Sequence, residues 1–104
     1  ANGPIVHPNV EAINLLPMFP HSLNSRPLLV QASTKIRIQI GKNFKAKLSL
    51  DGHNNTGLRP GDEVIIKRAD SELTLIHPQD HNFYSACRTK LGWSLGFIEK
   101  DYNI

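Results

Sequence analysis

What this sequence has little of narrows the class of protein it can be. Cys87 is its single cysteine, so no disulfide can form within the chain. That cysteine usage favours a reducing compartment, and we expect a cytoplasmic protein. No apolar run approaches the ~20 residues that a membrane-spanning helix needs. The first residues also lack the basic and apolar regions of a signal peptide. These absences argue against a secreted domain and against a membrane partner.

The positive charge is too weak to indicate a nucleic-acid partner. The net charge is +3 and the isoelectric point is about 9.3. Lys35, Arg37, Lys45 and Lys47 form the one basic face that the pattern predicts, and no aromatic residues are interleaved with them to stack on bases. We interpret this face as the solvated side of a half-buried sheet, which needs polar residues there.

Length and composition predict one ordinary folded domain. The chain has 104 residues, of which 39% are hydrophobic and 20% charged, and these values are typical of a globular protein. It begins without a methionine, from which we expect it to be part of a longer protein.

Short apolar segments separated by turn signals predict a mainly β fold. Alternation of apolar and polar residues over residues 36–40 and 44–50 predicts a hairpin closed at residues 41–43. The same signals predict four further strands, a polar loop, a type II turn with Pro and Gly at its centre, and a helix that Gly92 caps. The strands are at residues 13–18, 28–30, 63–67 and 73–76, the loop at 53–57, the turn at 59–62 and the helix near 82–91. The spacing is typical of an antiparallel β-sandwich-like domain with a short C-terminal helix.

Residues 17–21, which we call the proline ledge, form the most informative segment. Pro17 and Pro20 hold their own φ near −65° and push the residues before them toward extended conformations. The ledge is therefore predicted to be stiff and non-helical, and to present Phe19 and His21, with Arg26 close behind. We interpret it as part of a binding wall.

The three residues after the strand at 44–50 are Asp51, Gly52 and His53. They could form a loop that contacts a ligand or a plain hairpin turn. Gly52 permits a tight approach of the backbone, and His53 can donate or accept a hydrogen bond to a ribose hydroxyl or a phosphate. Asp51 and its neighbours are equally consistent with a plain hairpin turn. The residues alone do not favour either.

Other reactive side chains favour structural roles. His77 and His81 are four apart, but Pro78 prevents a regular helix between them, and no further ligands complete a metal site. Cys87 lies on the apolar stripe of the predicted helix, where thiols are usually inert. We predict no metal site and no catalytic residue in this chain.

Six separated motifs, taken in order, closely resemble the C-terminal domain of bacterial NAD kinases (ATP/polyphosphate-NAD kinases). The resemblance runs from Asn2 to about Trp93, and Asn2 stands where the family usually has the first of two glycines. The motifs are Asn2-Gly3-Pro4-Ile5 with His7-Pro8, Pro17-Met18-Phe19-Pro20-His21, Ser25-Arg26-Pro27-Leu28, Asp51-Gly52, Ile76-His77-Pro78 and Thr89-Lys90-Leu91-Gly92-Trp93.

The resemblance implies a phosphotransferase that acts on the 2′-hydroxyl of the adenosine ribose of NAD. It implies NAD as substrate, with ATP or polyphosphate as phosphoryl donor and a divalent metal such as Mg²⁺ in the full-length enzyme. It also implies that residues 1–93 form the NAD-binding domain, that residues 94–104 are a C-terminal tail, and that the enzyme is a homodimer or homotetramer.

The resemblance also implies which residues contact NAD. His53, presented by Asp51 and Gly52, and Phe19 on the proline ledge are expected to line the dinucleotide site, and His21 is a poorer candidate. Arg26 and the turn at Gly3-Pro4 are expected to organise that site. The family's catalytic Gly-Gly-Asp-Gly motif belongs to the N-terminal half, so this chain by itself is expected to be inactive.

Two alternatives remain open at this point. One is a non-enzymatic β-sandwich module whose ledge, from Phe19 to Arg26, binds a protein partner. The other is a lipid or sugar kinase that shares the fold.

Overall fold

The computed structural model describes residues 2–93, in which six short strands precede one helix. The chain divides into two compact units, residues 1–71 and residues 72–104. The strands all belong to the first unit and the helix to the second. The strands are β1 (Ala12–Leu15), β2 (Leu28–Gln31), β3 (Ile36–Gln39), β4 (Ala46–Leu50), β5 (Asn54–Leu58) and β6 (Glu63–Ile66), and the helix is α1 (Phe83–Leu91).

The six strands pair as three antiparallel two-stranded ribbons. β1 pairs with β2, β3 with β6, and β4 with β5. The mainly β, antiparallel architecture with a short C-terminal helix is therefore confirmed. β1 ends two residues before Pro17, as expected for a residue that cannot donate to a ladder.

The predicted hairpin over residues 36–50 is wrong. Its turn exists, since the Phe44 N–H donates to the Gly41 carbonyl at 3.1 Å, but the two strands that it joins belong to different ribbons. β3 pairs instead with β6, with Ile36 opposite Ile66. Alternation reports which face of a strand is buried and does not specify its neighbour, so the pairing was decided by contacts distant in sequence.

The predicted polar loop at residues 53–57 is also wrong, because residues 54–58 form β5. Asp51 and Gly52 have φ of 51° and 77°, and the His53 N–H donates to the Leu50 carbonyl at 3.0 Å. Positive φ at both central residues is the signature of a type I′ turn, which suits the twist of a hairpin. Asp51 and Gly52 are thus the central residues of a hairpin turn, and their role beside a ligand stays a prediction. Asn, Thr and Gly are weak strand formers, and pairing with β4 overrides that preference.

The type II turn at residues 59–62 is confirmed and starts the crossover to β6. Gly61 has φ of 86°, and the Asp62 N–H donates to the Arg59 carbonyl at 3.1 Å. The Asp62 carboxylate accepts from the Arg59 N–H at 2.8 Å. Beyond the turn, the Ile40 N–H donates to the Asp62 carbonyl at 2.8 Å, which continues the β3–β6 ladder by one residue.

Two ribbons turn apolar faces toward a shared cavity of about 730 Å³. The facing apolar residues of the two ribbons therefore line a cavity and do not form a packed core. Among the described residues, only Ala32 and Cys87 are buried. The apolar residues that line the cavity are Ile38, Ile40, Val64, Ile65 and Ile66 from the β3–β6 ribbon and Ala46, Leu48, Leu50 and Leu58 from the β4–β5 ribbon.

The second unit contains the predicted helix with both of its caps. The Asn82 side chain accepts a hydrogen bond from the Ser85 N–H at 3.0 Å, which satisfies one of the open amides of the first turn. Gly92 has φ of 66° and ends the helix, and the Trp93 N–H donates back to the Cys87 carbonyl at 3.2 Å. The prediction of a helix near residues 82–91 is confirmed.

The strand predicted at residues 73–76 is wrong, since no ladder forms there. Leu73 and Ile76 are 85% and 94% exposed. A strand needs a neighbour to satisfy its amides and carbonyls, and none pairs with this segment within residues 2–93. The predicted tail at residues 94–104 lies outside the described residues, and the domain boundary at residue 93 stays a prediction.

The type I′ turn gives a prediction with a matched control. A Cβ at Gly52 would meet no atom within 4 Å, so Gly52→Ala introduces only the strain of a left-handed alanine, about 1–2 kcal/mol. We expect faster hydrogen exchange at the His53 amide and along β5. Gly57→Ala also meets no atom within 4 Å and should leave exchange unchanged. Equal effects of both substitutions would contradict the role of backbone conformation.

Candidate functional site

The proline ledge leaves β1 as an irregular segment and forms a cleft with the start of the chain. Neither helix nor strand occurs over residues 17–21, as predicted. The cleft has a volume of about 460 Å³ and is lined by Asn2, Pro17, Met18, Phe19 and Pro20. Phe19 and Met18 are 93% and 62% exposed. The structure therefore places an apolar, solvent-facing aromatic ring on a stiff support.

Phe19 holds this position with an uncommon backbone conformation. Its φ is 48°, whereas a bulky residue seldom adopts positive φ, and a residue before proline is normally extended. Such strain costs of order 1–3 kcal/mol and is concentrated at binding and catalytic sites. An exposed phenylalanine in a strained conformation is therefore a candidate for ligand contact rather than for packing.

The turn at Asn2 and Gly3 lies against the end of β1, next to the ledge. Asn2 has φ of 58°, a conformation that asparagine adopts more readily than most residues. It thus adopts the left-handed conformation that favours glycine. A Cβ on Gly3 would lie 3.0 Å from Asn14 Nδ2 and 3.5 Å from Leu16 Cδ2, so the turn lies close to the side chains at the end of β1. The structure brings together two of the predicted elements, the N-terminal turn and the ledge.

The other predicted contact residues lie elsewhere in the first unit. Asp51, Gly52 and His53 form the exposed tip of the β4–β5 hairpin and do not line the ledge cleft. Arg26 is exposed, and it forms no ion pair within the described part of the chain. The roles predicted for these four residues therefore stay predictions.

The histidines of the second unit stack on each other. The rings of His77 and His81 lie 3.9 Å apart, with 6° between their planes, and the His81 N–H donates to the Pro78 carbonyl at 3.0 Å. No group of three His, Cys, Asp or Glu side chains within residues 2–93 is arranged to hold a metal ion. The stacked rings of His77 and His81 close the turn before α1.

The Cys87 side chain in α1 is 6% exposed.

A charged cleft of about 520 Å³, which we call the junction cleft, was not predicted. An ion pair between Arg68 Nη1 and Glu11 Oε1, at 3.1 Å, joins the chain after β6 to the chain before β1. Its lining comes from separate segments that only the strand pairing brings together, so no local motif marks it. The residues that line it are Glu11, Gln31, Ala32, Ser33, Lys35, Lys67 and Arg68.

Comparison with known proteins decides between the open alternatives. The sequence pattern that defines the ATP-NAD kinase C-terminal domain matches residues 1–78. The chain belongs to this family. That result confirms the resemblance and favours it over a freestanding interaction module and over a lipid or sugar kinase.

Individual relatives agree with the family match. The chain is 51% identical over 94 residues to a Chromohalobacter salexigens protein named NAD kinase, and 48% identical over 94 residues to one from Saccharophagus degradans. Both matches cover 88% of this chain and 32% of the relative. A Pseudomonas putida protein of the same name is 43% identical over 103 residues, which cover 97% of this chain and 35% of the relative. The chain thus spans about a third of the length of these relatives.

The described residues include no helix long and apolar enough to cross a membrane. The cytoplasmic location inferred from the cysteine content stays a prediction.

Proposed function

We propose that this chain is the substrate-binding and oligomer-forming domain of an NAD kinase. The complete enzyme would transfer a phosphoryl group from ATP or polyphosphate to the 2′-hydroxyl of the adenosine ribose of NAD, which yields NADP. The observation that carries the proposal is the family match over residues 1–78, together with 51% identity to a protein named NAD kinase.

In this proposal Phe19 and His53 contribute to two sides of the dinucleotide site. The exposed ring of Phe19 offers an apolar face to a flat heterocycle, since aromatic rings stack favourably on such groups. The His53 imidazole can donate or accept a hydrogen bond to a ribose hydroxyl or a phosphate. Asp51 and Gly52, both at positive φ, fix the turn that presents His53.

The catalytic step is assigned to the rest of the enzyme. Phosphoryl transfer needs a phosphate cradle, a divalent metal and a base or positioning group near the attacking hydroxyl. The described residues present no His, Cys, Asp and Glu group that fits a metal ion. In this proposal the chain binds and orients NAD, and other parts of the enzyme hold the metal.

Assembly into a homodimer or homotetramer is consistent with how little of this chain is buried. Each of the three ribbons has only two strands, and isolated two-stranded ribbons are marginally stable in water. Large apolar side chains such as Leu28 and Leu29 are 57% and 46% exposed. Open strand edges and uncovered apolar residues favour association with further protein surface. We propose that other parts of the enzyme and neighbouring subunits supply that surface, and that the complete enzyme sediments as an oligomer.

Substitution of the two proposed contact residues tests the site. In the complete enzyme, Phe19→Ala and His53→Ala should each raise the Michaelis constant for NAD about tenfold, which corresponds to about 1.4 kcal/mol of binding energy. The constant for ATP should not change. Because both side chains are exposed, the melting temperature should stay close to that of the unmodified enzyme.

Matched controls separate this effect from a general loss of an aromatic or imidazole ring. Phe44 is 70% exposed and lies in the turn between β3 and β4, while His81 is an exposed histidine of the second unit. Phe44→Ala and His81→Ala should leave the Michaelis constant for NAD nearly unchanged. Unaltered NAD kinetics in both Phe19→Ala and His53→Ala would refute the site assignment.

Activity measurements test whether the catalytic groups lie outside this chain, in the rest of the enzyme. With ATP, Mg²⁺ and NAD, the complete enzyme should form NADP, and these 104 residues alone should form none above background. Formation of NADP by the isolated chain would show that it carries its own catalytic groups.

A further inference from the structure

Two lysines lie just beyond one end of the β3–β6 ribbon. The last pair of that ladder is Ile36 with Ile66, so Lys35 directly precedes β3 and Lys67 directly follows β6. Both line the junction cleft. Continuing the register by one residue sets Lys35 opposite Lys67, and like charges opposite each other repel. The fold therefore concentrates positive charge at the mouth of this cleft.

The carboxylate that lines the cleft is paired with another cation. Glu11 pairs with Arg68, with 3.1 Å between Oε1 and Nη1. Within residues 2–93, no carboxylate forms an ion pair with Lys35 or Lys67. The cleft thus carries two positive charges that the described residues do not neutralise.

The rest of the lining suits an oxyanion. The Ser33 hydroxyl and the Gln31 amide are hydrogen-bond donors, and both residues line the cleft with the lysines. Its volume of about 520 Å³ lies within the range of small-molecule sites. Paired ammonium groups bind phosphate oxygens through charge-assisted hydrogen bonds, which are stronger than neutral ones.

We infer that the junction cleft binds an anion with adjacent phosphate groups, held by Lys35 and Lys67. Each ammonium group donates to oxygens of one phosphate, and the bound anion removes the repulsion between the two lysines. The phosphate chain could come from an inorganic polyphosphate or from a nucleotide. The inference does not depend on the proposed kinase activity, because the ligand is bound and not transformed.

Binding of sodium tripolyphosphate to the complete protein tests this inference. The measurement is titration calorimetry without NAD or divalent metal, at constant ionic strength. Replacing both lysines in K35Q/K67Q should weaken one binding event at least about tenfold, because two charge-assisted hydrogen bonds are lost. The double variant K42Q/K45Q removes the same charge from two other exposed lysines and should bind as the unmodified protein does. K35R/K67R, which keeps both charges, should also bind.

A charge reversal provides a second measurement that does not require the ligand. K67E places a carboxylate beside Lys35, so repulsion becomes attraction. We expect its melting temperature without phosphate to rise above that of the unmodified protein, and we expect added tripolyphosphate to raise it no further through this cleft. A lower melting temperature in K67E would contradict the repulsion on which the inference rests.

Titration with ATP in place of tripolyphosphate distinguishes the two sources of the phosphate chain. Tighter binding of tripolyphosphate than of ATP would indicate an inorganic ligand, and the reverse order would indicate a nucleotide; in either case K35Q/K67Q should weaken binding. Equal affinity of K35Q/K67Q and K42Q/K45Q for both ligands would overturn the inference. A structure of the complete protein in which a carboxylate from elsewhere lies within ion-pair distance of both lysines would overturn it as well.

Discussion

The antiparallel pairing of β3 with β6 is the contact on which the rest of the first unit depends. It joins β3, which begins at Ile36, to β6, which ends at Ile66. In the sequence, the β4–β5 hairpin lies between these two strands. Ile38, Val64 and Ile66 of this ribbon line the cavity shared with β4 and β5. The same pairing brings Lys35 and Lys67 to one cleft, where Arg68 pairs with Glu11. The apolar cavity and the junction cleft therefore both take part of their lining from residues that this register brings together.

Uncommon backbone conformations are concentrated at the positions assigned to function. Within the described residues, the positive-φ residues other than glycine are Asn2, Phe19 and Asp51. Two of them line the ledge cleft, and the third belongs to the type I′ turn between β4 and β5. Positive φ in residues with a Cβ has an energetic cost that the surrounding structure must offset. The strained conformation of Phe19, which no hairpin turn requires, is consistent with the binding role proposed for the ledge.

The small number of buried residues in this domain is consistent with its proposed role as one part of a larger enzyme. A domain that buried its own apolar residues would be self-sufficient, whereas here only Ala32 and Cys87 are buried among the described residues. Ribbons with open edges and an unfilled apolar cavity are consistent with a piece that covers about a third of its relatives' length. In the proposed enzyme, the exposed ring of Phe19 is available to substrate, and the remaining apolar surface contacts the rest of the protein.

The sequence alone determined the features that depend on near neighbours. Proline and glycine fix backbone angles locally, so the ledge, the type II turn at residues 59–62, and the helix with its Gly92 end could be predicted from the residues themselves. The mainly β class followed from alternating apolar residues, and the family from motifs that stand in order along the chain. The prolines already marked the ledge with Phe19 as a candidate binding wall, whereas His53 and Phe19 were proposed as NAD contacts only through that resemblance, because no periodicity marks a ligand contact.

Only the tertiary structure decided which strands pair. Alternation identifies a buried face but not the neighbour beyond it, so β3 was assigned to β4 and the polar residues of β5 were taken for a loop. Residues 73–76 have a strand-like sequence but no neighbour among the described residues, and propensity without a partner does not form a ladder. The junction cleft had no signal in the sequence, because its charges come from separate segments that the distant pairing of β3 with β6 brings together.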